Sequence, residues 1–302
     1  MAGCTGGESR VGKPRWLRRS LPSGPEYEKI RQLLKGSKLT TVCQEAKCPN
    51  QFECYAKGTA TFMILGDRCT RNCRFCAVQH RPPDRPDPAE PARVAEAVIL
   101  LDLRYAVITS VTRDDLDDGG ALMFAETIRA IKRRKPETLV EVLIPDLQGN
   151  WQALKVILKA EPHVINHNIE TVPRLYPQVR PQAQYQRSLE LFRQVKKNSP
   201  QKVCKSGIML GLGETPGELR QVWADLHRSG CDILTMGQYL QPSVENLPVQ
   251  RFVPPEEFEE LQVEALSCGF AGVTSGPFVR SSYQAEKLYR KAVRNIFYID
   301  NT

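Results

Sequence analysis

Long apolar runs are missing from this chain. The longest, residues 97–101, falls far short of the roughly 20 residues a membrane span needs, so a transmembrane protein is excluded. No segment resembles the apolar core of a signal peptide, and no low-complexity tract or internal repeat stands out. Histidine is scarce: the four, His80, His163, His167 and His227, form no pattern with a nucleophile, and hydrolase chemistry has no support. What is present is 302 residues, 41% hydrophobic and 25% charged, enough to bury a sizeable core in one large domain or two small ones. A net charge of +8 favours an acidic partner without naming its class.

Cysteine is the one residue in conspicuous supply. Six of the ten lie between Cys43 and Cys76; Cys4, Cys204, Cys231 and Cys268 stand alone. A disulfide scaffold is normally short, with cysteines spread throughout, so reduced thiols in a cytosolic-type compartment are expected here. The lone Cys204, Cys231 and Cys268 read as small core residues. The cluster divides into Cys43-x4-Cys48-x5-Cys54 and Cys69-x3-Cys73-x2-Cys76. Two trios imply two metal centres. Structural zinc usually takes four ligands built from paired C-x2-C knuckles, and only His80 lies nearby to complete a set. Soft thiolate triads suit iron–sulfur clusters better, and a four-iron cluster on three cysteines leaves one iron open.

From residue 61 short aliphatic runs alternate with segments of helical period. Strands are expected at 61–66, 105–111, 138–144, 164–169, 203–210 and 232–239, with helices at 90–103, 119–134, 150–160, 184–197, 216–229 and 255–267. Thr215, Pro216 and Glu218 form a capping box, and Gly230 follows that helix as its stop. Six strand–helix units imply a parallel sheet, either doubly wound or closed as a full or partial barrel. Both place chemistry in the loops after the strands, and the second trio directly follows the first strand. The remaining motifs are weaker. Residues 114–118 are an acidic run that reads as a charged helix N-terminus, with a cofactor amino group as the alternative. Gly211-x-Gly213 reads as a strand–helix turn. Asn168 and Glu170 end a strand, where they either meet a cofactor or substrate or simply cap the loop. Before the body, residues 1–12 form a tail with five glycines or serines; residues 10–38 hold nine Lys/Arg against two acids, an anionic docking strip or a solvated arm.

Cys69-Thr-Arg-Asn-Cys73-Arg-Phe75-Cys76 resembles the C-x3-C-x-aromatic-C signature of the radical S-adenosylmethionine (SAM) enzymes. Joined to the upstream trio and to Arg280-Ser281-Ser282-Tyr283, it resembles the lipoyl synthase family. The phrases around Asp114–Gly120, Asn166–Thr171 and Lys205–Thr215 are similar to that family too, and the likeness runs from about Lys13 to Ala292. The family's RSSYHA reads RSSYQA here, with Gln284 at a position that is not a ligand.

The resemblance implies an α/β fold: a partial (β/α)6 parallel barrel of radical SAM type spanning 61–268, with an N-terminal extension (1–60) carrying the auxiliary cysteines and a C-terminal extension (269–302). It implies two [4Fe–4S] clusters and SAM as cofactors. Cys69, Cys73 and Cys76 would hold the cluster that cleaves SAM to methionine and a 5′-deoxyadenosyl radical, in a site that must be closed and dry. Phe75, Asn168 and Glu170 would contact SAM, Phe75 against the adenine. Cys43, Cys48 and Cys54 would hold the auxiliary cluster, with Ser282 preferred over Ser281 as fourth ligand, and Ser282 and Arg280 would act at the sulfur-inserting step. The substrate would be an octanoyl-lysine on a lipoyl carrier protein, the lipoyl domain of a 2-oxoacid dehydrogenase E2 or the glycine cleavage H protein, with ferredoxin or flavodoxin as electron donor. No nucleic acid or membrane partner and a cytoplasmic location are expected. The other readings fare worse: an RNA methylthiotransferase lacks its modules here, a zinc-dependent nucleic-acid-binding protein does not match the βα body, and a ferredoxin needs four cysteines per cluster and far less chain.

Overall fold

The computed structural model describes residues 61–297 continuously, together with 14–18, 39–41 and the single residues Glu28, Gln32, Glu45, Cys48, Asn50 and Glu53. The 1–12 tail and most of the basic 10–38 strip, with Cys43 and Cys54, lie outside them. Strand β1 (Thr40–Thr41) runs antiparallel to β2 (Thr61–Ile64). A two-stranded ribbon follows, β3 (Arg68–Cys69) with β4 (Gln79–His80), enclosing the second cysteine trio. Thereafter strands and helices alternate: α1 (Glu90–Leu100), β5 (Tyr105–Ser110), α2 (Ala121–Arg134), β6 (Leu139–Leu143), α3 (Trp151–Lys159) and β7 (Val164–Asn166). A short α4 (Tyr176–Val179) precedes α5 (Tyr185–Asn198), β8 (Val203–Leu210), α6 (Pro216–Arg228), β9 (Ile233–Gln238), α7 (Pro255–Ser267), β10 (Gly272–Gly276) and α8 (Ala285–Phe297).

The main sheet runs in the order β1-β2-β5-β6-β7-β8-β9-β10, parallel from β2 onward. This is the expected partial barrel, open between its edges. It carries one more parallel strand than the six read from the sequence: Gly272 to Gly276 pairs in register with Ile233 to Gly237. Its sequence, GVTSG, has glycine at both ends and a single aliphatic residue, so no apolar run announces it.

Parallel strands covered on both faces lose the polar alternation of a half-exposed sheet. Every residue of β2 and of β9 is buried. The helices bury one stripe each: Val94 and Val98 on α1, Phe124, Ile128 and Ile131 on α2, Leu219, Val222, Trp223 and Leu226 on α6. At about 1.5–3 kcal/mol per large apolar side chain, this continuous core between sheet and helices supplies the main driving force for the fold. The caps behave as the sequence predicts. Thr215 accepts from the Glu218 N–H while Glu218 accepts from the Thr215 N–H, and Gly230 takes the left-handed φ of 90° that ends the chain segment after α6. Cys204 and Cys231 are fully buried core residues, and Cys268 caps α7 half-buried.

Candidate active site

All strand-following loops of a parallel barrel leave from one rim, and the motifs singled out in the sequence collect there. The Cys69–Cys76 loop leaves β2, and neighbouring loops hold it in place. The Thr70 N–H and hydroxyl both donate to the Thr112 carbonyl after β5 (3.0 and 2.9 Å), and the Arg74 N–H donates to Val179 (2.9 Å). The Leu247 N–H reaches the Arg74 carbonyl (3.1 Å), while the Asn246 amide bridges the carbonyls of Arg74 and Cys76 (3.2 and 2.9 Å). Arg71, 3% exposed, is the deepest anchor. Its guanidinium donates to both oxygens of Asp114 (2.6 and 3.0 Å) and to Asp146 beyond β6 (2.6 Å).

The three thiols of this loop are free and half-buried. Cys69 Sγ accepts from the Thr112 and Arg71 N–H groups (3.3 and 3.5 Å), and Cys76 Sγ from Val78 (3.5 Å), so backbone dipoles already point at two sulfurs. Burial pushes the Cys73 thiol up to about 11, against the pull of Arg180, and Cys76 up to about 12, against the Val78 N–H. The thiolates therefore form together with metal binding, which releases their protons. Three soft donors on one loop, two of them accepting backbone N–H bonds, fit an iron–sulfur cluster.

Inside the barrel, Asn168 and Glu170 follow β7 as expected. The Asn168 amide donates to Glu170 (3.0 Å), and the Ser281 hydroxyl donates to Asn168 Oδ1 (2.9 Å). Glu170 holds a φ of 65°, and burial raises its carboxyl, opposed by Arg180, Asn168 and Arg280. Gly207 of β8 gives this group room: a Cβ there would stand 2.8 Å from Asn168 Oδ1, 2.9 Å from Thr235 Oγ1 and 3.0 Å from Ser281 Oγ. Arg280 packs over Gly237 of β9, and its Nη1 donates to the Val279 carbonyl (2.7 Å). Ser282, half-buried, makes no hydrogen bond among the described residues, whereas Ser281 is engaged with Asn168. Phe75 is half-buried against the apolar core.

The first trio is seen only at Cys48, half-buried and packed on the same core. The Asn50 amide donates to the Phe278 carbonyl (2.6 Å), and the Tyr283 hydroxyl donates to Glu53 (3.1 Å). Asn50 and Glu53 thus meet the segment that follows β10 across some 230 residues of sequence.

The acidic run after β5 divides its labour. Asp118 accepts from the Gly120 and Leu122 N–H groups (both 2.8 Å) at the start of α2, the helix-terminal role expected for it; Asp114 belongs to Arg71 and Asp115 to Arg113. Gly211 and Gly213 form the expected turn, where the Gly211 and Leu212 N–H groups donate to Glu214. Sequence reasoning missed the buried partners. Arg180 lies 5.3 Å over the Tyr176 ring and donates to the carbonyls of Asn168 and Ile169. Lys205 donates to both oxygens of Glu141 (3.0 and 3.1 Å), which also accept from Asn166 and Tyr105. Only Arg71 carried a hint, its place inside the cysteine spacing.

Residues 63–226 match the family model of the Radical SAM superfamily, and residues 5–48 match that of the N-terminal domain of lipoyl synthase. The chain is 69% identical over 285 residues to the lipoyl synthase of Desulfotalea psychrophila, covering 94% of this chain and 95% of that one. It is 56% identical over 281 residues to that of Symbiobacterium thermophilum, covering 93% and 88%. Among solved structures the fold is similar to HydG, a maturase of the [FeFe]-hydrogenase (TM-score 0.56, 16% identity, 88% of this chain and 70% of that). It is also similar to Streptococcus suis SuiB bound to S-adenosylmethionine (TM-score 0.54, 12% identity, 72% and 51%). With relatives this similar along nearly its whole length, the chain belongs to the lipoyl synthase family of the radical SAM superfamily.

Proposed function

We propose that this chain is a lipoyl synthase, inserting two sulfur atoms at C6 and C8 of an octanoyl chain held on a lysine of a lipoyl carrier protein. The observation that carries this reading is that Asn50 and Glu53, near Cys48, are bonded to the segment bearing Arg280–Tyr283, whose Ser281 reaches Asn168 inside the barrel that carries the Cys69–Cys76 loop. Cys69, Cys73 and Cys76 are assigned to one [4Fe–4S] cluster, and Cys43, Cys48, Cys54 and Ser282 to the other. When bound, the first cluster supplies the electron that cleaves SAM, and the second supplies the sulfur. Ser282 is the better ligand candidate because Ser281 is already committed to Asn168. An alkoxide is a harder donor than thiolate and suits iron of this kind less well, which leaves that iron the easiest to release.

The chain's own residues orient and enclose. Arg71 fixes the cysteine loop against the ends of β5 and β6. Asn168 and Glu170 present oxygens inside the barrel for the SAM hydroxyl and amino groups, with Phe75 assigned to the adenine face. Arg280 and Arg180 balance the buried Glu170 charge. The 1–60 and 269–302 extensions are assigned the task of excluding water from radical chemistry, a role supported by the Asn50–Phe278 and Tyr283–Glu53 bonds between them. The E2 lipoyl domain or the H protein is the assigned carrier, ferredoxin or flavodoxin the assigned donor, and the cytoplasm the assigned compartment; among the described residues no helix is long and apolar enough to cross a membrane.

The test is anaerobic reconstitution followed by iron and sulfide analysis, then incubation with SAM, reductant and an octanoyl-lysine peptide. About eight irons per chain, from two four-iron clusters, with 5′-deoxyadenosine and a dithiolated peptide, is the expected result. Cys73→Ala should abolish 5′-deoxyadenosine and keep about half the iron; Ser282→Ala should keep SAM cleavage and lose sulfur insertion. Zinc in place of iron, or an unaltered peptide beside normal SAM cleavage, refutes the assignment.

A further inference from the structure

One surface feature borders the site above. A groove of about 740 Å³ lies between the outer side of the cysteine loop and the loop after β9, lined among others by Asn72, Arg74, Cys76, His80, Arg81 and Asn246. Among the described residues its lining includes none of Asn168, Glu170 or Ser281 of the barrel interior. Yet one wall is Cys76 itself, whose N–H···S bond from Val78 and carbonyl bond from Asn246 tie it to the groove's two sides.

The lining is asymmetric in charge. Arg74 and Arg81 are both exposed, and neither has an ion-pair partner among the described residues, unlike Arg68, which is bonded to Asp84. Among the described residues Glu245 is the one carboxylate on the lining. Beside it Val244 is 72% exposed, a large apolar side chain on the loop that forms the groove. A basic rim around an apolar point matches a partner with acidic residues around an apolar cofactor edge.

We propose that this groove is the docking surface for an acidic one-electron carrier protein, with Cys76 as the point of electron entry. The proposal rests on the reading above that Cys69, Cys73 and Cys76 hold a cluster. The exchange balances simply: one electron leaves the reduced carrier, which is oxidised by one, and enters the cluster, which is reduced by one, with no atom transferred at the groove. A carrier need only approach the Cys76 thiolate, whereas the acyl substrate must reach the interior, which is why the donor and not the acylated protein is assigned here.

The test compares the reconstituted holoenzyme with its Arg81→Glu variant, using flavodoxin as the probe. Calorimetric titration with oxidised flavodoxin, where no turnover occurs, should show affinity weakened about tenfold and less sensitive to salt. Formation of 5′-deoxyadenosine driven by reduced flavodoxin should slow at subsaturating carrier by about the same factor, while the rate driven by dithionite stays unchanged. Absence of flavodoxin binding by the unaltered protein, or equal affinity for both proteins, overturns the proposal. So does an equal loss with dithionite, which would assign Arg81 to loop integrity, or weakened binding of an octanoylated carrier domain alone, which would make the groove the acyl-protein surface. Failure of the unaltered protein to cleave SAM with dithionite would instead count against the lipoyl synthase reading, and the titration would still decide the groove.

Discussion

Replacing Arg71 by methionine should cost more stability than any exposed substitution in this chain. Its guanidinium makes three hydrogen bonds to two carboxylates while 3% exposed, and Asp146 is fully buried. Burial alone would raise the Asp146 carboxyl; the Arg71 hydrogen bond and charge overcome it and hold it at about 2. Removing the cation leaves that carboxylate with the Gln148 N–H, 3.1 Å away, and Arg187, 3.5 Å away. Breaking one partner of a buried ion pair costs about 3–5 kcal/mol, and Asp114 loses both of its Arg71 bonds as well. Asp146→Asn alone should also destabilise, but the Arg71→Met/Asp146→Asn pair should cost less than the sum, with a coupling of about 2 kcal/mol. Arg71→Lys keeps the charge but cannot span both carboxylates, so it should fall between. Urea unfolding at pH 7 followed by circular dichroism measures the cycle, and iron content reports whether the Cys69–Cys76 loop survives. Additive effects, or a cost for Arg71→Met below about 1 kcal/mol, the range of a solvent-screened surface pair, would refute the reasoning.

The pH dependence of stability should come from His167 before Asp146. Burial, then the charge of Arg180, depresses His167 to about 4 from an ordinary 6.5, so its neutral form stabilises the fold fully above 6.5 and progressively less as pH falls toward 4. That is about 2 kcal/mol lost by pH 5. His163, depressed to about 4 by burial and then by the charge of Lys132, titrates in the same window, so His167→Gln should reduce the slope of the urea midpoint without abolishing it, and an unchanged slope would clear His167. Asp146, lowered instead, stabilises above its ordinary 3.8 and fails only as pH falls toward 2, below that window. Gly237→Ala would set a Cβ 2.0 Å from the Val279 carbonyl oxygen, which cannot rotate aside. The Arg280–Tyr283 motif should shift, and lipoyl formation, read by mass spectrometry of the peptide, should fall about a hundredfold while 5′-deoxyadenosine is still produced; normal lipoylation would show that the motif's position is not critical.

The fold was legible wherever local chemistry repeats. Amphipathic helices such as 216–228 announce themselves by period and by a capping box, and fully buried strands such as Val203–Leu210 by aliphatic content. The strand at Gly272–Gly276 was not, because its pairing with β9 compensates for a glycine-flanked sequence of weak strand preference. Tertiary context decided that element. The helix at Ala285–Phe297 went unread for another reason: it follows the family motif without a turn signal, although Leu288 and Ala292 bury a stripe against β10.

The site shows the same division. Cysteine ligands sit close in sequence because a loop must wrap one cluster, so their spacing is a local signal. What fixes that loop is not local. Arg71 and Asp146 are 75 residues apart, Ser281 and Asn168 113, and Tyr283 and Glu53 230. No periodicity links such pairs; strand order does, by bringing the ends of β2, β5, β6 and β7 to one rim. The acidic run at 114–118 makes the point within five residues. Asp118 serves the helix that follows it, as its sequence suggests, while Asp114 serves an arginine 43 residues upstream. A charge beside a helix start explains the first. Only the barrel explains the second, and it is the second that holds the cysteine loop where radical chemistry would need it.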